Sequence, residues 1–516
     1  MKPLYTSAQL RTAQSAALTR GDALMKRAGI AATRHALAML QSAQRNPVRV
    51  LVLAGPGNNG GDAFEVATNL RDAGVQVEVL FIGNADNLPP DATRAFERWN
   101  SPTLTHLPRT LDADLIIDGL FGIGLKRKLE AALGAFIERV NASGIPILAL
   151  DVPTGLQAES GEALGWNDAA GNAVRGAINA TRTVTLIGDK PGLHTHDGTE
   201  VAGEVMVETL EVRLPQASGN HGLIERSDFA ALLRRRAANT HKGDSGTVLV
   251  LGGAPGMMGA ALLTARAALL LGAGKIIVGL VDAQGGDPLP AYDPLHPELM
   301  LHDANSVQRE GAIERASVIA SGPGLGQSAA AVALLEHCAA LETPLVLDAD
   351  ALNLLALNTP LATKVARRIA PTYLTPHPLE AARLLGSTVA KVQEDRIAAA
   401  CMLARLYRAV VVLKGAGSIV AWRHANGAHQ ETVWAMNPTG NPGMASGGMG
   451  DALTGLLSAL LAQRAPSVPH HLPVLAATYL HGAAADACVA DGRGPIGLTA
   501  SETILAARRL WNAWID

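Results

Sequence analysis

Aromatic residues, cysteines and long apolar runs are all scarce in this sequence of 516 residues. Aromatic residues make up 3% of the chain, too few for the stacked platforms that bind single-stranded nucleic acid. The formal net charge of −3 gives no basic surface for nucleic acid or for an anionic membrane. The three cysteines form no CxxC pair, which favours reduced thiols in the cytosol over disulfides or a zinc site.

The N-terminal segment lacks the apolar core of a signal peptide, and no uninterrupted apolar run is long enough to cross a bilayer. We therefore expect a cytoplasmic enzyme with no nucleic-acid or membrane partner. A chain of this length exceeds one ordinary hydrophobic core, which predicts at least two domains. Hydrophobic residues at 48% and charged residues at 17% are typical of well-packed globular domains.

Apolar strands that alternate with helices predict two α/β domains. In the first half the strands include VRVLVLAG at 48–55, LIIDGLFG at 115–122 and PILALDVPTG at 146–155, and the pattern restarts with TVLVLGG at 247–253. Continuous apolar strands of this kind form parallel sheets that helices cover on both faces. The predicted segments are a domain over 1–215, a linker region over 216–236 and a second domain over 224–516.

The clearest chemical signal is NPGMASGGMGDALTG at 441–455. Its glycines let backbone approach phosphate, and the helix that follows offers unpaired N–H groups. Asp451, in the first turn of that helix, is either a helix cap or a base beside a phosphate. Three further strand-end loops, GPGLG at 322–326, TPHPLE at 375–380 and LKGAGS at 413–418, should converge with it.

Together these four loops indicate a phosphoryl transferase of the ribokinase-like type. In that arrangement Asp451 takes the proton from an attacking hydroxyl, while backbone N–H groups stabilise charge on the phosphates. The motif G-x-x-x-x-G-K-[ST] is absent, which excludes a P-loop.

The first half carries three strand-end motifs of its own. GPGNNGGD at 55–62 joins a strand to a helix that should begin at about Asp62, so an anion site is expected there. DGLFGIGLKRK at 118–128 has a carboxylate and a basic run that could cover a diphosphate, and DVPTGL at 151–156 adds a second carboxylate. Oxygen atoms from three of these residues could form a cage for a monovalent or divalent cation: Asn59, Asp118 and Thr154.

The motifs of the second half occur in the order seen in the ADP/ATP-dependent NAD(P)H-hydrate dehydratases, which the chain resembles over about residues 224–516. The resemblance implies repair of NADHX and NADPHX, the hydrated nicotinamide cofactors, with magnesium and ADP. The ring hydroxyl would be phosphorylated, after which phosphate leaves and the ring double bond returns. The resemblance assigns Ala260, Gly324, His377 and Asp451 to the hydrate, Asp451 also as base, and Lys414, Gly415, Ala416, Gly417, Ser418 and Gly450 to the nucleotide.

The motifs of the first half resemble the YjeF N-terminal domain, the NAD(P)H-hydrate epimerase, over about residues 10–210. The resemblance implies a Rossmann-like three-layer α/β sandwich that binds a potassium ion. It assigns hydrate binding to Asn58, Asn59, Gly60, Gly61, Asp62, Gly122, Ile123, Gly124, Leu125, Lys126, Arg127, Lys128 and Asp151, Asp151 also as acid/base, and potassium binding to Asn59, Asp118 and Thr154. Lys190, in GDKPGL, could assist this chemistry, although a surface position is expected for it.

We therefore predict one bifunctional enzyme. It epimerises R- and S-NAD(P)HX and dehydrates the S form, with conversion of ADP to AMP and phosphate. ADP rather than ATP follows from the resemblance, and a homo-oligomer is expected. The alternative is a ribokinase-like small-molecule kinase with a non-catalytic N-terminal binding domain; Asn59, Asp62, Asp118 and Asp151 are all present, which argues against an eroded site.

Overall fold

The chain divides into two compact units. One is Pro3–Gly219, and the other is Asn220–Asp516 together with Met1–Lys2. The computed structural model describes residues 1–21, 23–41, 45–214, 221–281, 292–426 and 429–515. Both units contain sheets of mainly parallel strands with intervening helices, which confirms the predicted α/β class. A two-residue strand, β1 (Lys2–Pro3), joins the larger sheet.

The N-terminal unit is built on a six-stranded parallel sheet in the spatial order β3-β2-β4-β5-β8-β9, with a separate pair β6-β7. Its strands are β2 (Arg49–Ala54), β3 (Gln76–Phe81), β4 (Leu115–Gly119), β5 (Ile147–Leu150), β6 (Trp166–Asn167), β7 (Ala173–Val174), β8 (Arg182–Leu186) and β9 (Glu204–Glu208). Its helices are α1 (Ser7–Thr19), α2 (Leu24–Leu40), α3 (Asn58–Asp72), α4 (Pro90–Trp99), α5 (Ala131–Ala142) and α6 (Gly198–Val201), with 3₁₀ turns at Ala85–Asn87 and Pro191–Leu193.

Both faces of this sheet are buried, because its side chains alternate between two apolar cores. Val50 and Val52 of β2 pack with α1 to α4 on one face, while Leu51 and Leu53 pack with α5 on the other. This gives three layers. The chain passes from β2 to β3 on one side and then to β4 on the other, so the strand order reverses at β2. A crevice at the carboxyl ends of the strands is expected at such a switch point.

Two local features of this unit differ from the sequence expectation. Helix α1 was not predicted, although Thr6 and Gln9 form a capping box at its start, which is a recognisable sequence signal. Helix α3 begins at Asn58 rather than at about Asp62. Gly57 takes the extended N-cap position, so the two asparagines belong to the first helical turn and not to the loop.

The C-terminal unit is built on an eleven-stranded sheet in the order β1-β10-β19-β18-β17-β16-β15-β14-β11-β12-β13. Only β18 runs antiparallel to its neighbours among the described pairs from β10 onwards. The strands are β10 (His221–Leu223), β11 (Thr247–Gly252), β12 (Lys275–Leu280), β13 (Met300–Asp303), β14 (Val318–Ser321), β15 (Leu345–Leu347), β16 (Thr372–Leu374), β17 (Val410–Leu413), β18 (Ile419–Asn426) and β19 (His429–Met436).

The helices of this unit lie between or after its strands. They are α7 (Met258–Leu270), α8 (Ala304–Arg309), α9 (Ala329–Ala340), α10 (Ala349–Leu357), α11 (Thr359–Ala366), α12 (Pro378–Leu384), α13 (Val389–Glu394), α14 (Arg396–Tyr407), α15 (Met449–Ala462), α16 (Leu472–Ala490) and α17 (Ala500–Ile515), with 3₁₀ segments at Arg226–Leu232 and Pro442–Met444. One apolar core joins α7, α15, α16 and α17 to one face of the sheet.

Two segments of this unit bear on earlier expectations. Within the predicted linker region, residues 216–220 lie outside the described residues, whereas β10 pairs with β19 and the Phe229 side chain is fully buried in the core. Helix α16 is the one described helix whose length and composition would suit a membrane span. The share of its apolar window buried inside the unit is 67%, as for a core helix.

Candidate active sites

The N-terminal unit contains a cavity of about 660 Å³ at the carboxyl ends of its parallel strands. This volume is in the range of small-molecule sites. The structure brings ten of the predicted hydrate-binding residues into its wall: Asn58, Asn59, Asp62, Gly122, Ile123, Gly124, Leu125, Lys126, Arg127 and Asp151. Lys126 and Arg127 are exposed and supply positive charge there.

Three predicted hydrate-binding residues do not line this cavity. A Cβ on Gly60 would stand 1.9 Å from the carbonyl oxygen of Gly55, and one on Gly61 would stand 2.8 Å from Cα of Ala92. These two glycines therefore permit close packing of α3 on its surroundings. Lys128 donates instead to the Asn167 side chain at 3.0 Å.

Two of the predicted cation residues, Asp118 and Thr154, are in contact at the end of β4. Both carboxylate oxygen atoms of Asp118 accept hydrogen bonds from Thr154, one from the backbone N–H and one from the hydroxyl, each at 2.7 Å. Burial raises the pKa of Asp118 to about 6, against the effect of those hydrogen bonds. The side-chain oxygen and nitrogen of Asn59 are buried, have no partner among the described residues, and face Gly122, where a Cβ would stand 3.6 Å from Oδ1 of Asn59. An unpaired amide oxygen and a buried carboxylate are ligand types that suit a hard cation.

Asp151 is paired with a lysine that the sequence reading placed at the surface. Lys190 is 1% exposed, and its Nζ lies 2.7 Å from Oδ1 of Asp151. Asp151 itself has a φ of 65°, an uncommon conformation for a residue with a side chain. The expectation of a surface lysine was wrong, because the turn after β8 directs this side chain inward toward β5.

Two further carboxyl groups line the cavity wall, Asp62 and Asp91. Asp91 is paired with Arg94. Burial raises the pKa of Asp62 well above the ordinary value, and the negative charges of Asp151, Glu65 and Asp91 raise it further. Asp151 and Asp62 therefore have different surroundings, the first beside a cation and the second among anions.

In the C-terminal unit, Asp451 lies in the first turn of α15, as the sequence suggests. The N-cap is Gly448 with a φ of 88°, and a Cβ there would stand 2.6 Å from the Leu263 side chain. Burial raises the pKa of Asp451 to about 7, with a further contribution from Asp348 and an opposing one from Lys414. A carboxyl that titrates near neutral pH can serve as a general base.

A buried ion pair supports this helix terminus. Nζ of Lys414 lies 2.6 Å from Oδ1 of Asp348, and the Thr454 hydroxyl donates to Oδ2 at 2.9 Å. Burial opposes ionisation of Asp348, but the Lys414 charge and these hydrogen bonds bring its pKa below the ordinary value. The network ties β15, β17 and α15 together below the Gly-rich segment.

The predicted nucleotide loop lies beside this ion pair. A Cβ on Gly450 would stand 3.2 Å from Nζ of Lys414, so glycine leaves the ammonium accessible from the helix terminus. Residues 414–418 turn from β17 to β18, where Gly415 has a φ of 136° and its Cα faces the buried guanidinium of Arg396. The Ser418 hydroxyl donates to the Gly415 carbonyl at 3.0 Å, which closes the turn. Ala416 and Gly417 lie at its tip.

His377 occupies the N-cap of α12, where its Nδ1 accepts from the backbone N–H groups of Leu379 and Glu380. Its side chain is 44% exposed and thus accessible to a ligand. Burial and the Lys414 charge lower its pKa. Burial also raises the pKa of Glu380 to about 7, against the effect of Lys414.

The other two predicted hydrate contacts lie beyond β11 and β14. Ala260 is in the first turn of α7, and its carbonyl accepts from the Thr264 hydroxyl, which is also 3.1 Å from the Asp451 carbonyl. Gly324 has a φ of 61°, and its carbonyl accepts from the Ala254 N–H at 2.7 Å. Ala260 is thereby linked to the turn that carries Asp451.

Sequence reasoning missed two charged residues of these sites, Asp348 and Glu380. It named Lys190 as a residue that could assist the epimerase but expected it at the surface. Asp348 directly follows β15, so the strand-end rule that found Asp118 and Asp151 could have found it. Glu380 carries no comparable signal. Among the described residues, no group of three or more His, Cys, Asp or Glu is placed to hold a metal ion.

Comparisons with known proteins match a different family model to each half of the chain. Residues 21–192 match the family model described as YjeF-related protein N-terminus, and residues 248–504 match the model for NAD(P)H-hydrate dehydratase. The bifunctional NAD(P)H-hydrate repair enzyme Nnr of Escherichia coli K12 is 36% identical over 95% of this chain and 89% of its own length. The enzyme of that name from Vibrio cholerae is 38% identical over 98% of both chains.

A solved ADP/ATP-dependent NAD(P)H-hydrate dehydratase from Bacillus subtilis, co-crystallised with ATP and Mg²⁺, is also similar, with 32% identity and a TM-score of 0.48. It aligns with 58% of this chain and 100% of its own. Fold and sites together define a two-unit α/β enzyme with one strand-end site in each unit. The chain belongs to the family of bifunctional NAD(P)H-hydrate repair enzymes. The predicted Rossmann-like and ribokinase-like fold classes are thereby confirmed.

The buried pair Lys414–Asp348 yields a stability prediction. Asp348→Asn removes the nearest counter-ion of the largely buried Lys414 ammonium, which keeps Glu380 at 4.0 Å, and should lower the free energy of unfolding by up to roughly 3–5 kcal/mol. Asp491→Asn breaks an ion pair with Arg509 of similar length, 2.7 Å, at the surface, and should change it little. Urea unfolding of the two variants checks this; equal losses would contradict it.

Proposed function

We propose that this chain repairs hydrated nicotinamide cofactors with two active sites. The N-terminal unit interconverts R- and S-NAD(P)HX, and the C-terminal unit dehydrates the S form with conversion of ADP to AMP and phosphate. The main support is the identity to bifunctional repair enzymes over almost the whole chain. The presence of Asp62 and Asp151 in the cavity of the N-terminal unit supports an active rather than a vestigial first half.

In the C-terminal unit, we propose that Asp451 accepts the proton of the ring hydroxyl while the oxygen of that hydroxyl attacks the terminal phosphorus of ADP. The bond from that phosphorus to the leaving phosphate oxygen breaks, which releases AMP. Backbone N–H groups at the start of α15 and the Lys414 ammonium stabilise the phosphate charge. The carbon–oxygen bond of the new phosphate ester then breaks with its electron pair on the oxygen, so that phosphate leaves, and the neighbouring ring carbon gives a proton to solvent, which restores the double bond.

Magnesium is proposed to accompany the nucleotide here. Mg²⁺ needs only one or two carboxylates when phosphates and water complete its shell. Asp348, which directly follows β15 and contacts α15 through Thr454, fits that requirement and leaves Asp451 to act as the base. When bound, the ion neutralises phosphate charge.

In the N-terminal unit, we propose that Asp151 moves the proton that epimerisation requires, and that Asn59, Asp118 and Thr154 hold potassium. The unpaired amide of Asn59 and the buried carboxylate of Asp118 support this. A potassium ion supplies positive charge beside that carboxylate. Lys126 and Arg127, exposed at the cavity, suit the diphosphate of the substrate.

We also propose a cytoplasmic location and a homo-oligomeric state. Burial of the three free cysteines, Cys338, Cys401 and Cys488, supports a reducing compartment.

Replacement of the proposed base separates the two activities. Asp451→Asn cannot accept the hydroxyl proton, so recovery of NADH from S-NADHX with ADP should fall by about 10²-fold or more. Epimerisation, followed by chromatography of the two hydrates without nucleotide, should be unchanged. Loss of both activities would contradict separate sites, and a stable phosphorylated hydrate from the wild type would favour the kinase alternative.

The pKa of Asp451, about 7, predicts the direction of the pH dependence. The base is active when ionised, so the dehydration rate should rise with pH through neutrality and level off above it. The measurement is the initial rate at saturating S-NADHX and ADP across that range. A rate that falls as the pH rises through neutrality would contradict the role of Asp451 as base.

Potassium dependence tests the proposed cation site. Exchange of potassium for choline should slow epimerisation by the wild type, and Asp118→Asn, which removes the buried charge, should abolish that dependence. Asp112→Asn, an exposed carboxylate of the same unit, is the matched control and should keep it. Equal potassium dependence in all three proteins would exclude Asp118 from the site.

A further inference from the structure

The two oxygen atoms of the Asp151 carboxylate have different surroundings. Oδ1 lies 2.7 Å from Nζ of Lys190, with which it forms an ion pair, and accepts from the Leu186 N–H at 3.2 Å. Its Oδ2 accepts from no protein donor among the described residues, and it lies 3.1 Å from where a Cβ on Gly122 would stand. One oxygen is thus fixed by the protein, and the other faces the loop that forms the cavity wall.

Lys190 has no proton left for a ligand. Besides Asp151, its ammonium donates to the Thr185 hydroxyl at 2.6 Å and lies 3.2 and 3.1 Å from the carbonyl oxygens of Leu186 and Gly188. An ammonium has three protons, and four acceptors already surround this one. Lys190 therefore acts on the reaction through Asp151, although its side chain borders the cavity.

Asp62 lies in the opposite environment. No cationic group pairs with it among the described residues, and the charges that act on it come from Asp151, Glu65 and Asp91. Glu65 is itself buried, next to the exposed guanidinium of Arg98. Burial and these negative charges both favour the protonated form of Asp62, which lies in the cavity wall.

Resting on the proposed function, we propose that Lys190 is a positioning residue of the epimerase: its buried ammonium holds Asp151 as the base, with Oδ2 toward the substrate, while Asp62 in the same cavity wall serves as the acid. The lysine thereby fixes which oxygen of Asp151 takes the proton. This assignment of base to Asp151 and acid to Asp62 does not follow from the cavity lining or from the cation site.

Epimerisation by ring opening uses Asp151 as the base and Asp62 as the acid in one balanced step. Asp151 accepts the proton of the hydroxyl on the hydrated carbon, and a carbon–oxygen double bond forms. The bond from that carbon to the ring nitrogen breaks with its electron pair on nitrogen, which takes the proton from Asp62. After rotation of the open chain, the reverse transfers close the ring on the other face and restore both carboxyls. No oxidant or co-reactant is consumed.

The first test replaces Lys190 in the full-length chain. Lys190→Met keeps the length of the side chain and removes its charge, so kcat for epimerisation should fall at least about 10²-fold with KM within a few-fold, since the substrate contacts remain. Lys190→Arg keeps the charge and should recover part of kcat. Lys26→Met, an exposed lysine of the same unit outside the cavity wall, should behave as wild type.

Dehydration of S-NADHX with ADP by the same samples checks the C-terminal unit, and the melting temperature and circular dichroism spectrum of each variant check that the N-terminal unit is folded. Wild-type kcat retained in Lys190→Met would overturn the inference while leaving the proposed function intact. A drop shared equally by Lys190→Met and Lys190→Arg would also overturn it, because charge would then not matter. Absence of epimerisation in the wild type would instead overturn the proposed function itself.

A second variant, Asp62→Asn, tests the inference even if Lys190→Met fails to fold. Asp62→Asn replaces a neutral carboxyl with a neutral amide, so the melting temperature should not fall, whereas kcat for epimerisation should fall at least about 10²-fold with loss of the acid. Retained kcat would overturn the assignment of Asp62. A large loss of melting temperature would also overturn it, since it would mean that the carboxyl was ionised and paired.

Discussion

A buried ion pair between a lysine and an aspartate lies at the carboxyl ends of the parallel strands in each unit, and each site depends on it. Lys190 pairs with Asp151 at 2.7 Å and Lys414 with Asp348 at 2.6 Å. A buried charge is costly unless it is paired and hydrogen-bonded, so each pair fixes the geometry of its partners. The aspartates follow β5 and β15 directly, because a parallel sheet brings its strand ends to one edge.

The two pairs serve different chemistry. In the C-terminal unit the lysine lies beside the terminus of α15, where Gly450 leaves room above it and where phosphate charge would develop. In the N-terminal unit the lysine is saturated by protein acceptors, so its charge acts on a neighbouring carboxyl rather than on a ligand. The first arrangement suits phosphoryl transfer, and the second suits proton transfer.

The sequence predicts much of this architecture, because the loops at strand ends can be recognised from it. Apolar runs that end in glycine, proline or aspartate located the loops after β2, β4, β5 and β17, and the glycines at 443–450 located the start of α15. Glycine is ambiguous, however. Gly60 and Gly61 occur in the same motif as Asn59 and Asp62, yet they serve the packing of α3, since only neighbours in space reveal what a Cβ would meet.

Charge pairing over long sequence separations was not predictable. Lys190 and Asp151 are 39 residues apart, and Lys414 and Asp348 are 66 apart, so no local pattern links them. A lysine in a glycine- and proline-rich turn is usually exposed, and only the turn after β8 shows that this one is buried. The raised pKa of Asp451 likewise follows from burial and from Asp348, neither of which the GGMGD motif contains.

The central claim is that one chain carries two separable active sites. Complementation between two inactive variants tests it most directly: Asp151→Asn lacks the epimerase base, and Asp451→Asn lacks the dehydratase base. Supplied with R-NADHX and ADP, neither variant alone should restore NADH faster than spontaneous epimerisation allows, and their mixture should restore it fully. A mixture as inactive as its components, or rapid recovery by either variant alone, would contradict the account.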